Sequence, residues 1–271
     1  MHPILFTFGP LELRFYGLMY VVAIIVGTRI IRSEIRRKQI ALTDDEVSNF
    51  IIWTVVGGIL GARIYYVLFN AGYYISAPSE IPAIWHGGLA IHGGIAGGIA
   101  VAWVYLRKKK VSFWQLSDCV APALILGQAF GRFGNFMNGD AHGVPTTLPW
   151  GMVFSPESVA GRQFPGIPIH PVMLYELLLN VSIFLFIWLV LRRREHGRGF
   201  IFAAYVAMYS VIRCFVEWFR ADSLMFGQWR AAQLVSISLF IIAATVIIIK
   251  KLWEPETQPA RNAQTGRSHG K

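Results

Sequence analysis

Nine side chains of this 271-residue chain could hold an anion or move a proton: Tyr16, Arg63, His92, Arg132, Asn135, Asp140, Arg213, Glu217 and Arg220. The densest stretch is 131–143, where Arg132, Asn135 and Asp140 stand among glycines at 131, 134, 139 and 143. Glycine lets a ligand approach the backbone closely and leaves N–H donors free to aim at it. The planar guanidinium fork of arginine matches phosphate or carboxylate. Arg213, Glu217 and Arg220 are spaced i, i+4, i+7, one face of a helix. Arg63, Arg132, Arg213 and Arg220 outnumber Glu217 and Asp140 by two, and a guanidinium surplus held away from water requires an anion. His92 is the candidate general base or proton shuttle. His86 lies six residues before it, roughly 240° round a helix, so the pair does not form a metal site on one face. No Walker motif, HExxH, GxSxG or dinucleotide fingerprint occurs.

The elements that must carry these groups are membrane-length. The chain is 55% hydrophobic and 15% charged, against about one quarter charged in a soluble domain. Seven apolar stretches, about 15–31, 47–69, 87–106, 116–137, 174–191, 200–219 and 231–249, approach or reach the roughly 20 residues that cross a bilayer. Arg29 near the end of the first stretch is followed by Arg32, Arg36, Arg37 and Lys38, and Arg107 with Lys108, Lys109 and Lys110 follow the third. Arg192, Arg193, Arg194 and Arg198 follow the fifth, and Lys250 and Lys251 the seventh. The alternate connection 70–86 has no lysine or arginine, and 138–173 has only Arg162. The positive-inside rule then puts the N-terminus outside and the C-terminus in the cytoplasm. The expected fold is an all-α polytopic membrane protein of about seven transmembrane helices. Residues 1–253 are expected to form one integral-membrane domain that carries the site, with 138–173 as an outer loop or arm, and 254–271 read as a disordered basic tail. Residues 1–10 lack the basic n-region of a cleavable signal peptide, so the first stretch is expected to persist. Glycines 57, 58, 61, 93, 94, 97 and 98 at small-xxx-small spacing point to close helix packing. Cys119 and Cys214 read as small buried hydrophobes.

At about 1.5 Å per residue, Arg213 lies roughly 20 Å from the inner end of its stretch, and Arg63 and Arg132 roughly 24 Å. Tyr16, Arg63, His92, Arg132, Arg213 and Glu217 are therefore expected to converge in the outer third of the membrane. A site open to lipid and to the outside makes a phospholipid headgroup the natural anion. The competing class is a lipid flippase or small-anion carrier, which needs polar groups continuing towards the cytoplasm. Below Arg213 only Tyr205, Tyr209 and Ser210 continue that way. A metal-dependent phosphatidyl transferase would need clustered aspartates that the sequence lacks.

The stretch 131–139 with Gly143 resembles the signature of the bacterial prolipoprotein diacylglyceryl transferases. The blocks 15–20, 89–94, 170–176 and 213–220 resemble further blocks of that family, in order, over nearly the whole chain short of the tail. The resemblance implies transfer of the diacylglyceryl group of phosphatidylglycerol to the lipobox cysteine thiol of a preprolipoprotein. The products would be a thioether and glycerol phosphate, with no cofactor or metal, in the bacterial inner membrane, with the site facing the periplasmic leaflet. By matching motif, Arg132 and Arg213 would bind the phosphate, and Asn135, Glu217, Arg220, Gly143 and Tyr16 would complete the site. His92 or a carboxylate–arginine pair would take the thiol proton. Asp140 departs from the longer glutamate common in the family. The enzyme is expected to act as a monomer.

Overall fold

The computed structural model describes residues 4–8 and 11–255. In chain order it holds β1 (Ile4–Phe8), β2 (Leu11–Arg14), α1 (Phe15–Arg37), α2 (Asp44–Phe69), α3 (Ala71–Ser76), α4 (Ile91–Lys108) and α5 (Phe113–Asn138). There follow α6 (Val159–Gln163), α7 (Val172–Leu189), α8 (Phe200–Val216), β3 (Met225–Phe226), β4 (Trp229–Arg230) and α9 (Ala231–Ile249). Each of the seven apolar stretches thus contains one long helix. Among the described residues, the segments 15–37, 44–69, 172–193, 200–219 and 231–249 are long and apolar enough to cross a membrane. α4 and α5 fall outside that group. α5 carries Gln115, Asp118, Gln128, Arg132 and Asn135, and it packs against α1, α4, α7 and α8. A helix enclosed by its neighbours needs no continuous apolar surface, and polar groups in a membrane bundle face its interior.

The outer surface is apolar. Leu60, Ile64 and Leu68 on α2 and Ile241 and Ile242 on α9 are each more than half exposed. Such faces suit lipid contact rather than water. The structure is that of a mostly helical membrane protein, refined by two short antiparallel hairpins, β1–β2 and β3–β4, that helical periodicity did not anticipate. The second turns at Gly227, whose φ of +61° is the left-handed value glycine adopts without strain. Most of the expected basic tail, 256–271, lies outside the described residues.

Local signals set the helix ends. The Thr43 hydroxyl accepts from the Glu46 backbone N–H, and the Glu46 carboxylate accepts from the Thr43 N–H, a capping box that starts α2. The expected glycine packing is the α2–α4 contact. A side chain on Gly61 would overlap the Gly93 carbonyl and come within 2.9 Å of the Gly97 Cα. Gly61→Val is therefore expected to destabilise the protein by about 1–3 kcal/mol, the usual cost of overpacking. Gly72→Ala, with nothing within 4 Å of the added carbon, should leave stability unchanged. Thermal unfolding in detergent compares the two. Cys119 is fully buried in the cluster formed by α1, α2, α4 and α5, whereas Cys214 is only partly buried.

Candidate active site at the C-terminal end of helix α5

The last two turns of α5 bring Arg132, Asn135 and Asn138 to the point where the helix stops. Gly139 stops it: its φ of +69° is left-handed, and its N–H donates to the Asn135 carbonyl at 2.8 Å. The reversal carries Asp140 back over the helix. One Asp140 oxygen accepts from Asn135 Nδ2 at 2.7 Å and the other from Asn138 Nδ2 at 2.9 Å. Asn135 Oδ1 in turn accepts from Arg132 Nη1 at 3.1 Å. Arg132 Nη2 pairs with Oε1 of Glu176 on α7 at 2.9 Å, and the Tyr209 hydroxyl on α8 donates to the same oxygen at 3.1 Å. A guanidinium offers five N–H donors. Some remain for a ligand, because Arg132 and Asn135 line a cavity of about 480 Å³.

That cavity has two ends of different chemistry. Tyr16, Gly131, Arg132, Asn135 and Glu176 line one part, while Ile24, Ile31 and Leu124 line another. Tyr16 reaches this place because α1 crosses α5 at Gly134, where a Cβ would come within 2.9 Å of the Tyr16 ring. Its hydroxyl lies 3.0 Å from that of Tyr20, and Asp140 and Arg132 are among its electrostatic neighbours. Tyr20 and Ile24 on α1 are about half exposed (54% and 45%), so the trough opens towards the lipid-facing side.

A second ionic group stands across Tyr209, which has both Arg132 and Arg213 as electrostatic neighbours. Arg213 Nη1 lies 2.6 Å from Glu217 Oε2, and Arg220 Nε lies 3.9 Å from the same oxygen. Arg220 also makes a two-pronged contact with Asp222, at 3.0 and 2.8 Å. Arg230 caps the end of α8, donating to the carbonyls of Glu217 and Arg220. Gly143 bridges to Arg220 in antiparallel fashion, stitching the 138–173 arm to this group. Only glycine fits there, since a Cβ would overlap the His170 carbonyl and Val172. His170 backs the junction. Burial pushes its imidazole below the usual histidine range, and Nδ1 lies 3.1 Å from the Tyr175 hydroxyl.

The structure brings Tyr16, Arg132, Asn135 and Asp140 together and sets Arg213, Glu217, Arg220 and Gly143 beside them. Two expectations need correction. Arg63 is buried and donates to the carbonyls of Glu80, Ile81, Ala83, Gly87 and Gly88, so it fastens the 70–88 connection and is not part of the cluster. The expected surplus of two positive charges is also absent. Glu176 and Asp222, neither of which entered that count, supply partners for Arg132 and Arg220. His92 stands apart on the first turn of α4, exposed, its ring centroid 6.0 Å from that of Tyr65. The adjacent Ile91 lines the cavity, which puts His92 near its mouth. Glu176, Tyr209, Asp222 and Arg230 were not singled out by spacing. Glu176 could have been, as the one carboxylate in the apolar run 172–189, and Tyr209 as the residue four before Arg213.

Known proteins match this chain along most of its length. A family model described as prolipoprotein diacylglyceryl transferase matches residues 3–249. A Fusobacterium nucleatum subsp. nucleatum protein named phosphatidylglycerol–prolipoprotein diacylglyceryl transferase is 40% identical over 286 residues, covering 93% of this chain and 98% of that one. Proteins of the same name from Nostoc sp. and Fervidobacterium nodosum are 40% and 42% identical, covering 95% and 89% of this chain and 93% and 82% of theirs. With a membrane-embedded helical fold and an arginine-lined amphiphilic cavity, the chain is a transferase and belongs to the prolipoprotein diacylglyceryl transferase family.

Proposed function

We propose that the protein moves the diacylglyceryl group of phosphatidylglycerol to the lipobox cysteine thiol of a preprolipoprotein. The carbon–sulfur bond forms as the carbon–oxygen bond to phosphate breaks, giving a thioether and glycerol phosphate. The carrying observation is the cavity: one part bears Arg132 and Asn135, and the other is aliphatic and opens beside exposed α1 residues. That division suits an anionic headgroup with acyl chains attached. Arg132 and Arg213, on either side of Tyr209, hold the phosphate and stabilise its developing charge. Asn135 and Asp140 orient Arg132. Glu217 and Arg220 orient Arg213, and Gly143 lets the arm close against them. Tyr16 covers the polar end.

His92 takes the thiol proton in this reading. Its imidazole is exposed and makes no hydrogen bond among the described residues, so it is free to accept one from a peptide arriving at the mouth. His92→Asn is expected to reduce transfer by about 10²-fold or more, within the range for general bases. Tyr175→Phe, which loses only the contacts with His170 and Trp150, should be milder. The reverse order would remove the base assignment.

In this reading the chain crosses the bacterial inner membrane seven times with its N-terminus outside, the site faces the periplasmic leaflet, and residues 1–253 act as a monomeric catalytic domain. The basic connections support that orientation. The deciding assay is thioether formation on a lipobox peptide by purified protein with phosphatidylglycerol in detergent. Lipidated peptide with released glycerol phosphate is the expected result. Lipid binding without turnover would favour a carrier. The apolar layer of Ile125, Ile183, Ile187 and Ile201 beneath the cluster speaks against a polar path through the bundle.

A further inference from the structure

Helix α7 presents Glu176, Asn180, Ile183 and Ile187 at i, i+4, i+7 and i+11, and all four are buried. This face packs against α5 and α8. At its upper level Glu176 meets Arg132 of α5 and Tyr209 of α8. Further along, Ile183 and Ile187 share an apolar cluster with Ala121 and Ile125 of α5 and Ile201 and Tyr205 of α8. Both neighbours therefore run antiparallel to α7. Asn180 and Gln128 fall between the two levels, together with the Tyr205 hydroxyl, which lies 3.0 Å from Gln128 Nε2.

This middle layer is polar and incompletely paired. Asn180 is 0% exposed, and among the described residues neither its Nδ2 nor its Oδ1 has a hydrogen-bond partner. Gln128 Oε1 and Glu176 Oε2 are likewise buried with no partner among the described residues. A buried polar group left unpaired is costly, so native interiors satisfy such groups, often with water. Water suits this set. It can accept from Asn180 Nδ2 and donate to Asn180 Oδ1, Gln128 Oε1 or Glu176 Oε2, and buried waters make about three hydrogen bonds each. Gln128 and Glu176 also line the cavity, which gives water a way in, while the isoleucine layer closes the other side.

We propose that Gln128, Asn180 and Glu176 enclose an internal water site, and that the water held there positions Glu176. Held at its second oxygen, Glu176 keeps the first on Arg132 and Tyr209, and Arg132 keeps its aim into the cavity. The inference rests on the proposed phosphate-holding role of Arg132.

The test compares Asn180→Leu, Asn180→Ala and Asn180→Ser in purified full-length protein, by kcat for peptide lipidation and by thermal unfolding. Leucine fills the space with no polar atom, whereas alanine leaves room for a further water. A water site gives kcat about tenfold lower for Asn180→Leu and within about threefold of wild type for Asn180→Ala and Asn180→Ser, since small displacements of catalytic groups are costly. A packing role gives the opposite order, alanine worse than leucine, and would overturn the proposal. So would wild-type kcat for a folded Asn180→Leu. Should Asn180→Leu fail to fold, the decision passes to alanine and serine: near-wild-type kcat for both supports the site, and a tenfold loss in both overturns it. Arg132→Ala is assayed in parallel. If it retains transfer, the phosphate-holding assignment falls; if it is inactive while Asn180→Leu is normal, only the water site falls.

Discussion

Replacing Arg132 by alanine is expected to lower transfer by about 10²–10³-fold, the loss typical when one preorganised donor to a developing negative charge is removed. The side chain joins Asn135, Glu176 and the cavity, so its loss removes a ligand contact and two structural ones. It also strands Glu176, which is 1% exposed. Breaking a buried ion pair from one side costs about 3–5 kcal/mol, enough to confuse inactivity with unfolding. The double variant Arg132→Ala/Glu176→Gln separates them, because it removes the stranded charge. It is expected to regain thermal stability in detergent and remain inactive. Arg132→Lys keeps the charge but replaces a two-armed fork with a single ammonium, and should fall between alanine and wild type. Wild-type transfer by Arg132→Ala at matched protein levels would remove the phosphate-holding role.

Glu217→Ala is expected to destabilise the protein as strongly as Arg132→Ala. Its carboxylate is buried between Arg213 and Arg220, and Arg213 has it as close partner at 2.6 Å. Deleting it leaves like charges facing one another beside the end of α8, at a cost of about 3–5 kcal/mol. Transfer should be lost with it, because Arg213 is no longer held towards Tyr209. Glu217→Gln keeps an acceptor for Arg213 and should cost less on both counts. The pair is compared by thermal unfolding and by lipidated peptide formed per mole of folded protein. An alanine variant that melts and turns over like wild type would show that Arg213 is held by other means.

Much of the fold was legible in the sequence because lipid imposes a simple rule. A segment without water must satisfy its backbone internally and present apolar side chains outward, so apolar runs of membrane length read directly as helices. The glycine spacing of 57, 61, 93 and 97 likewise foretold close helix packing, which the structure realises between α2 and α4, since close approach admits only hydrogen at those positions. The Gly139 turn was visible as a glycine after a helical run. Less legible were the hairpins β1–β2 and β3–β4, which are too short to carry a periodic signal.

The side chains of the site divide along the same line. Arg132, Asn135 and Asp140 are joined by contacts three to five residues apart, and Arg213, Glu217 and Arg220 by contacts three to four apart, so local helix geometry already grouped each set. Which charges neutralise which is a property of neighbouring helices. Arg132 finds Glu176 forty-four positions away on α7, and spacing along one chain carries no information about that pairing. Arg63 looked like a member of the cluster by depth alone, yet its rotation about α2 turns it to the carbonyls of the 80–88 connection. Sequence determined the membrane class, the helices, the family motifs and the two local groups. Only tertiary structure decided that the arginines are already paired, that His92 stands apart from them, and that an unpaired amide lies beneath, because depth fixes height in a bundle while packing fixes direction.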